Sequence, residues 1–422
     1  MRLPPALRAP QYRRYVAANF FALQGVWAQR TIIAWLAWEM TEQASWVGLI
    51  AFLSFAPTLV SGPVFGVWAD RTDLKRAAMV VQGAQGVFCA ILAALILSEA
   101  LTIGLLAAIA LAIGVANSAH NPVRLALAPR LAPRDALANA IAISSLNFNL
   151  ARLTGPAIAG LAIAGVGAGL TAAGAVALFA PLILILTGIV PRAPEGPPVE
   201  RTGLIASLTE GARFALAHDA IRSAMALTTV FAFVVRGYLE LLAVVADGEF
   251  DRGATGLGVL MGVSGAGALA AAILLTSRDF VTEARVPRAT VVAAFAGFAA
   301  AALAAASPSW TGALILTAAA SFFGTMVGVT MQSVVQLAVD DAHRGRVLSL
   351  WIMIGIGGAV VGSLIMGWFA DVFGIGATMI WFSVGGAVIA ALIRYRRWRK
   401  RRSSPSRNRD LSALEKGRPP PP

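Results

Sequence analysis

Twelve stretches of mostly apolar residues, each about the ~20 residues a helix needs to cross a bilayer, recur along this chain, with the charges swept into the breaks between them. They lie near 16–40, 45–68, 77–98, 101–120, 136–163 and 167–190, then near 221–246, 255–276, 288–306, 310–338, 346–370 and 375–394. Inside lipid, every backbone polar group must be satisfied within the structure, which leaves helices or closed barrels. Runs this long predict an all-α membrane protein of twelve transmembrane helices. Composition agrees: 58% of the 422 residues are hydrophobic and 13% are charged, against about 25% charged in soluble domains. The first run follows MRLPPALRAPQYRRY and exceeds the ~7–15 apolar residues of a signal-peptide core, so it is expected to stay as a span.

The formal charge of +13 would suit a nucleic-acid partner, but its distribution excludes one. Alternate connections hold the basic residues: Arg2, Arg8, Arg13 and Arg14; Arg71, Lys75 and Arg76; Arg130 and Arg134; Arg192, Arg201 and Arg213; Arg278, Arg285 and Arg288; Arg344 and Arg346; then the tail. The other connections carry Glu39, Glu42, Glu99, Asp247, Glu249, Asp251 and Asp371, with Arg252 as their basic residue. By the positive-inside rule this places both termini in the cytoplasm of a bacterial inner-membrane, multi-pass protein. Residues 191–220 open with PRAPEGPPVE and continue as an amphipathic stretch around Leu204, Leu208 and Phe214. That linker divides a six-helix bundle at 1–190 from a second at 221–394, and a basic tail follows at 395–422. The tail is a topology anchor or, alternatively, a binder of anionic lipid heads. The one cysteine, Cys89, sits in an apolar run and allows no disulfide.

The halves echo each other weakly: 46–71 ends in Ala-Asp-Arg and 255–279 in Ser-Arg-Asp. Between spans two and three stands Gly62-Pro-Val-Phe-Gly66-Val-Trp-Ala-Asp70-Arg71-Thr-Asp73-Leu-Lys75-Arg76. This resembles the loop signature of the major facilitator superfamily, with Asp73 where its general form has Gly. The variant is similar to the branch that includes enterobactin exporters and macrolide efflux proteins. Asn121-Pro122-Val-Arg124, Asn147 through Pro156, Arg344-Gly-Arg346 and Gly367-Trp-Phe-Ala-Asp371 resemble further segments of that branch. The resemblance implies two pseudo-symmetric bundles and a monomeric transporter, with gating by Gly66, Asp70, Arg71, Lys75 and Arg76. Arg152, Gly155 and Pro156 partly resemble an exporter's kinked fifth helix, although Ala stands at 151 and 159 where that motif has Gly.

Arg30, Arg152 and Arg236 fall inside spans, and Glu240 is the acid well inside one. A charge at the bilayer centre costs at least ~2.5–3.5 kcal/mol, so these groups should face a wet cavity, a partner, or both. In the resembled family spans one and seven line that cavity, which makes Arg30, Arg236, Asn19, Gln24 and Trp27 candidate substrate contacts. Gln332 and Gln336 on span ten either join them or bond between helices. Two arginines favour an anionic substrate; the competing reading locks each to a neighbour's acid or carbonyls. Arg236 and Glu240 stand four residues apart and can pair on one helical face. Glu240, with Glu39 as second candidate, is the expected proton carrier. Trp27, Thr31, Trp35 and Trp38 form a stripe suited to packing or an interfacial belt, with an aromatic substrate platform as the alternative. His120, His218 and His343 are all expected on the cytoplasmic side. No metal-ligand spacing, catalytic triad or phosphate loop occurs, so neither an enzyme nor a cofactor is expected. The function expected is proton-coupled export of a siderophore-like or drug-like amphiphile. Lysophospholipid translocation and a non-transporting receptor on the same fold are the alternatives.

Overall fold

The computed structural model describes residues 4–192, 204–276, 283, 285–340 and 343–402, and within them not the side chains of 60–64, 66, 67, 69–71, 204–208 and 397–402. The described residues form helices and turns without a strand. In chain order these are α1 (Pro10–Glu39), α2 (Ala44–Arg71), α3 (Leu74–Leu97), α4 (Ile103–Leu131), α5 (Leu137–Ala177), α6 (Ala180–Thr187), α7 (Leu204–Ala217), α8 (Asp219–Phe231), α9 (Gly237–Glu240), α10 (Gly253–Thr276), α11 (Arg288–Ala305), α12 (Trp310–Ala338), α13 (Arg344–Phe373) and α14 (Ile375–Arg402). Among the described residues nine stretches are long and apolar enough to cross a membrane. One of them, Arg134–Thr187, is 54 residues long. It breaks at Gly167, whose φ of 83° suits glycine, and the break falls between the expected fifth and sixth segments. The proline-rich start of the linker, 193–203, and the tail from 403 lie outside the described residues.

Helix starts follow capping chemistry. Thr102 accepts from Leu105 N at 3.3 Å to begin α4, and Ser309 accepts from Gly312 N at 3.2 Å to begin α12. Asp73 accepts from Lys75 N at 2.8 Å as the cap of α3, which gives a physical reason for an acid at that position. The cap of α2 comes from elsewhere. Asp371, on α13, accepts from Ala44 N at 2.6 Å and Ser45 N at 3.1 Å. This carboxylate sits on the positive end of α2's dipole and joins helices 327 positions apart.

Two departures from the expected segments matter for function. α4 continues through Pro122 and Pro129 to Leu131 instead of stopping near residue 120. The seventh segment, expected to be continuous, is broken: π turns occupy Ala232–Arg236 and Val244–Glu249 around the short α9. Close packing accompanies the break. A Cβ at Gly237 would stand 3.0 Å from Ser363 N, and one at Gly358 would stand 3.0 Å from Ala232 Cβ, so this segment lies directly on α13.

α2 packs on α4 and α13, α1 on α5, and α5 on α10. At the α5–α10 crossing a Cβ on Gly258 would meet the Pro156 carbonyl oxygen at 2.8 Å and Gly160 Cα at 3.0 Å. Such close approach is what small residues allow between membrane helices. One end of the bundle gathers acidic residues, where Trp38 Nε1 donates to Asp247 at 2.9 Å and Asp371 caps α2. The opposite end gathers basic ones, where Lys75 Nζ donates to the Thr187 carbonyl at 2.7 Å and Arg192 to the Pro129 carbonyl at 2.8 Å. At that end the amphipathic α7 docks on α13 through Glu210, which pairs with Arg346, and through Phe214, stacked between His218 and His343 at 4.0 and 4.2 Å. His343 also holds the exposed Asp340 carboxyl below the usual carboxylate range by hydrogen bonding to it.

Candidate functional site

The chemistry of the bundle gathers around Arg30, in the middle of α1. Its Nη2 donates to both carboxylate oxygens of Glu240, at 2.6 and 2.5 Å, so the pair joins α1 to α9 across 210 positions of sequence. The guanidinium also lies 5.1 Å from the ring centre of Trp27 and 4.8 Å from that of Phe55. Aromatic faces attract a cation more strongly once water is removed. Side-chain exposures of 28% for Arg30 and 15% for Glu240 place the pair on the wall of a cavity, not in sealed packing. That cavity, of about 170 Å³, lies among α1, α2, α4, α5, α9 and α13, reaching Phe148 and Ile356.

Arg152 on α5 and Arg236 at the end of the first π turn feel the charges of Arg30 and Glu240. Neither has a hydrogen-bonded carboxylate among the described residues; the one Arg–Glu bridge of the cluster is Arg30–Glu240. Arg236 is exposed, and a Cβ at Gly355 would come 3.7 Å from its Nη1. Three guanidinium groups thus share one carboxylate within the bundle.

The site residues expected from the sequence divide. Arg30, Arg236, Glu240 and Trp27 come together, and Arg152, expected as part of a kinked gating helix, joins their electrostatic cluster. Gln24 is buried behind them, its Nε2 donating to Thr154 at 2.6 Å. Gly155 makes room for this layer, since a Cβ there would stand 2.7 Å from Trp27 Cβ and 2.9 Å from Gln24 Oε1. Pro156 follows, buried in α5. Asn19 is 3% exposed but lines a separate small pocket. Gln332, half-buried, and Gln336, exposed, sit on α12 away from the cavity walls. Glu39 is exposed at the end of α1. Of the gating loop, the side chains of Gly66, Asp70 and Arg71 lie outside the described residues; Arg76 is exposed, and Lys75 bonds within its own half.

One expectation needs correcting. Glu240 pairs with Arg30 and not with Arg236, because the π turn and the break at Leu241 take the segment off the 3.6-residue period that an i,i+4 pair requires. His120, expected on the cytoplasmic side at the end of the fourth segment, lies within the longer α4, 7% exposed and on the cavity wall. Trp35 and Trp38 are buried within the packing between helices, the first of the two uses expected for their stripe. Sequence reasoning also missed Phe55, Asn117, Asn121 and Phe148 as lining residues. Asn117, His120, Asn121 and Arg124 recur at helical spacing within an apolar run, a polar stripe that periodicity alone exposes.

Membrane-crossing helices around an internal cavity with fixed charges define the class: a polytopic membrane transporter. The family model described as Transmembrane secretion effector matches residues 3–415, and the chain belongs to that family within the major facilitator superfamily. It is similar to the enterobactin exporter EntS of Salmonella choleraesuis (strain SC-B67), 27% identical over 389 residues, which cover 90% of this chain and 87% of that protein. The enterobactin exporter EntS of Escherichia coli O81 (strain ED1a) is 26% identical over 387 residues, with 90% and 87% covered. Among solved structures, the fold is similar to an inward-facing, unoccupied bacterial homologue of the human lysosomal transporter Spinster, with a TM-score of 0.69, 16% identity, and 91% and 96% of the two chains covered. The nucleoside transporter NupG matches with a TM-score of 0.71 at 11% identity, covering 91% and 98%. The relatives are transporters, and so is this chain; it is not an enzyme.

Proposed function

We propose that the chain is a secondary active exporter of an anionic amphiphile, siderophore-like or drug-like, that moves its substrate by alternating access and is coupled to protons. The observation that carries this reading is the cluster of Arg30, Arg152 and Arg236 around the single carboxylate of Glu240. Similarity to proteins named as enterobactin exporters supports the direction of transport. In this reading 1–190 and 221–394 rock against each other, and Arg30 and Arg236 hold the substrate's anionic group. Glu240 is the proton carrier: once protonated it releases Arg30, and the bridge between α1 and α9 opens. The loop from Asp70 to Arg76 gates the basic end, which faces the cytoplasm together with both termini of an inner-membrane monomer.

Proteoliposomes loaded with candidate anions provide the test. Arg30→Ala and Arg236→Ala should each weaken binding by about 10–100-fold, the worth of one charge-assisted hydrogen bond. Undiminished transport by both variants would remove the site assignment, and indifference to an imposed pH gradient would remove the coupling. A second reading, translocation of a lysophospholipid, is favoured by an apolar cleft of about 360 Å³ between α2 and α13, lined by Trp46, Leu49, Leu364 and Trp368. Movement of a fluorescent lysolipid between leaflets by the reconstituted protein would decide for it.

A further inference from the structure

Beside the central cavity lies a second, much smaller pocket, of about 10 Å³, lined by α1, α3 and α4 and by Leu182 of α6. Its polar lining is Tyr15 and Asn19 from α1, Gln82 from α3, and His120 and Arg124 from α4. Asn19, Gln82 and His120 are 3%, 2% and 7% exposed. Four of the polar atoms here are buried without a hydrogen-bond partner: Asn19 Oδ1, Gln82 Oε1, His120 Nε2 and Arg124 Nε. Buried polar groups are nearly always satisfied, so four orphans around one void call for a shared partner.

We propose that this pocket is a binding site for a single water molecule. The donor and acceptor inventory matches water group by group. The two amide oxygens accept its two O–H groups, and its lone pairs accept from the Nε–H of Arg124 and, in the Nε2–H tautomer, from His120. The void is close to the ~10–15 Å³ that one water needs, and four partners sit at the top of the usual 2–4. A cation is opposed by the adjacent guanidinium, and an apolar group would leave all four atoms orphaned. The water links polar groups of α1, α3 and α4 in the first half of the chain. His120 lines both this pocket and the central cavity, so the water stands behind the cavity wall. The site does not depend on the substrate reading above.

X-ray radiolytic labelling of the purified full-length protein tests it, because bound water generates hydroxyl radicals beside the residues it touches. Tyr15 and His120 should be oxidised several-fold faster than the equally buried Tyr238, with slow exchange of the incorporated oxygen in H2¹⁸O. Gln82→Leu should lower labelling of Tyr15. Labelling of Tyr15 and His120 as slow as that of Tyr238 overturns the proposal on the wild-type protein alone. If both amides were turned the pocket would present four donors, so a rise in Tm specific to chloride over gluconate, lost in Arg124→Gln, would mark an anion site and also overturn it.

Discussion

At the scale of the residue, one carboxylate decides what the cavity can do. Glu240 neutralises Arg30 while leaving Arg152 and Arg236 with charge to spare. Glu240→Gln keeps the volume and imitates the protonated acid. Its expected outcome is loss of the pH dependence of transport with substrate exchange retained, read in proteoliposomes at matched and opposed pH. Because the pair is partly exposed, its loss should cost about 1–3 kcal/mol of stability, between the values for surface and buried pairs. Gly155 is a residue-scale test of a different kind. Gly155→Ala would press a methyl against Trp27 and Gln24. Overpacking of that kind costs about 1–3 kcal/mol, and thermal unfolding followed by tryptophan fluorescence should show a lower Tm.

Among the elements, the cap of α2 and the α5–α10 crossing join helices from the two halves of the chain toward the acidic end and are expected to limit its opening. Asp371→Ala removes the carboxylate that accepts from Ala44 and Ser45, so closure of that end should weaken by about 1–2 kcal/mol. Spin labels at Met40 and Phe373, both exposed at that end, should report a larger population of long distances by pulsed electron resonance. Gly258→Val should act in the same direction by forcing α5 and α10 apart, with unchanged distances arguing against a closure role for the crossing. The elements also show where a sequence is hard to read. The break at Gly167 was legible because a small-residue stretch interrupts the apolar run. The π turns before and after α9 were not, since Ala-Phe-Val-Val-Arg has the composition of any helix, and its distortion accompanies contacts with α13 that lie more than a hundred residues away. The extension of α4 was hidden by Pro122, which suggests a helix end where neighbouring helices instead support a continuation.

For the whole molecule, hydropathy and loop charge were enough to read the helical membrane architecture, because lipid punishes every exception. The identity of the charged residues in the bundle was equally legible, since each stands out against an apolar run. Their pairing was not: the Arg30–Glu240 bridge spans 210 positions, and sequence spacing favours the nearer partner, Arg236. The two positive charges left over beside the Arg30–Glu240 bridge, on Arg152 and Arg236, have a consequence for energetics in a living cell. If the basic end faces a cytoplasm held negative, each elementary charge that crosses the field is worth about 2.3 kcal/mol per 100 mV. The empty carrier would then be drawn back toward the inward-open state by membrane voltage, while a carrier neutralised by a dianion would move outward without electrical opposition. Voltage would thereby drive the return stroke, and turnover in vesicles should rise with an inside-negative potassium diffusion potential even when the pH is equal on both sides.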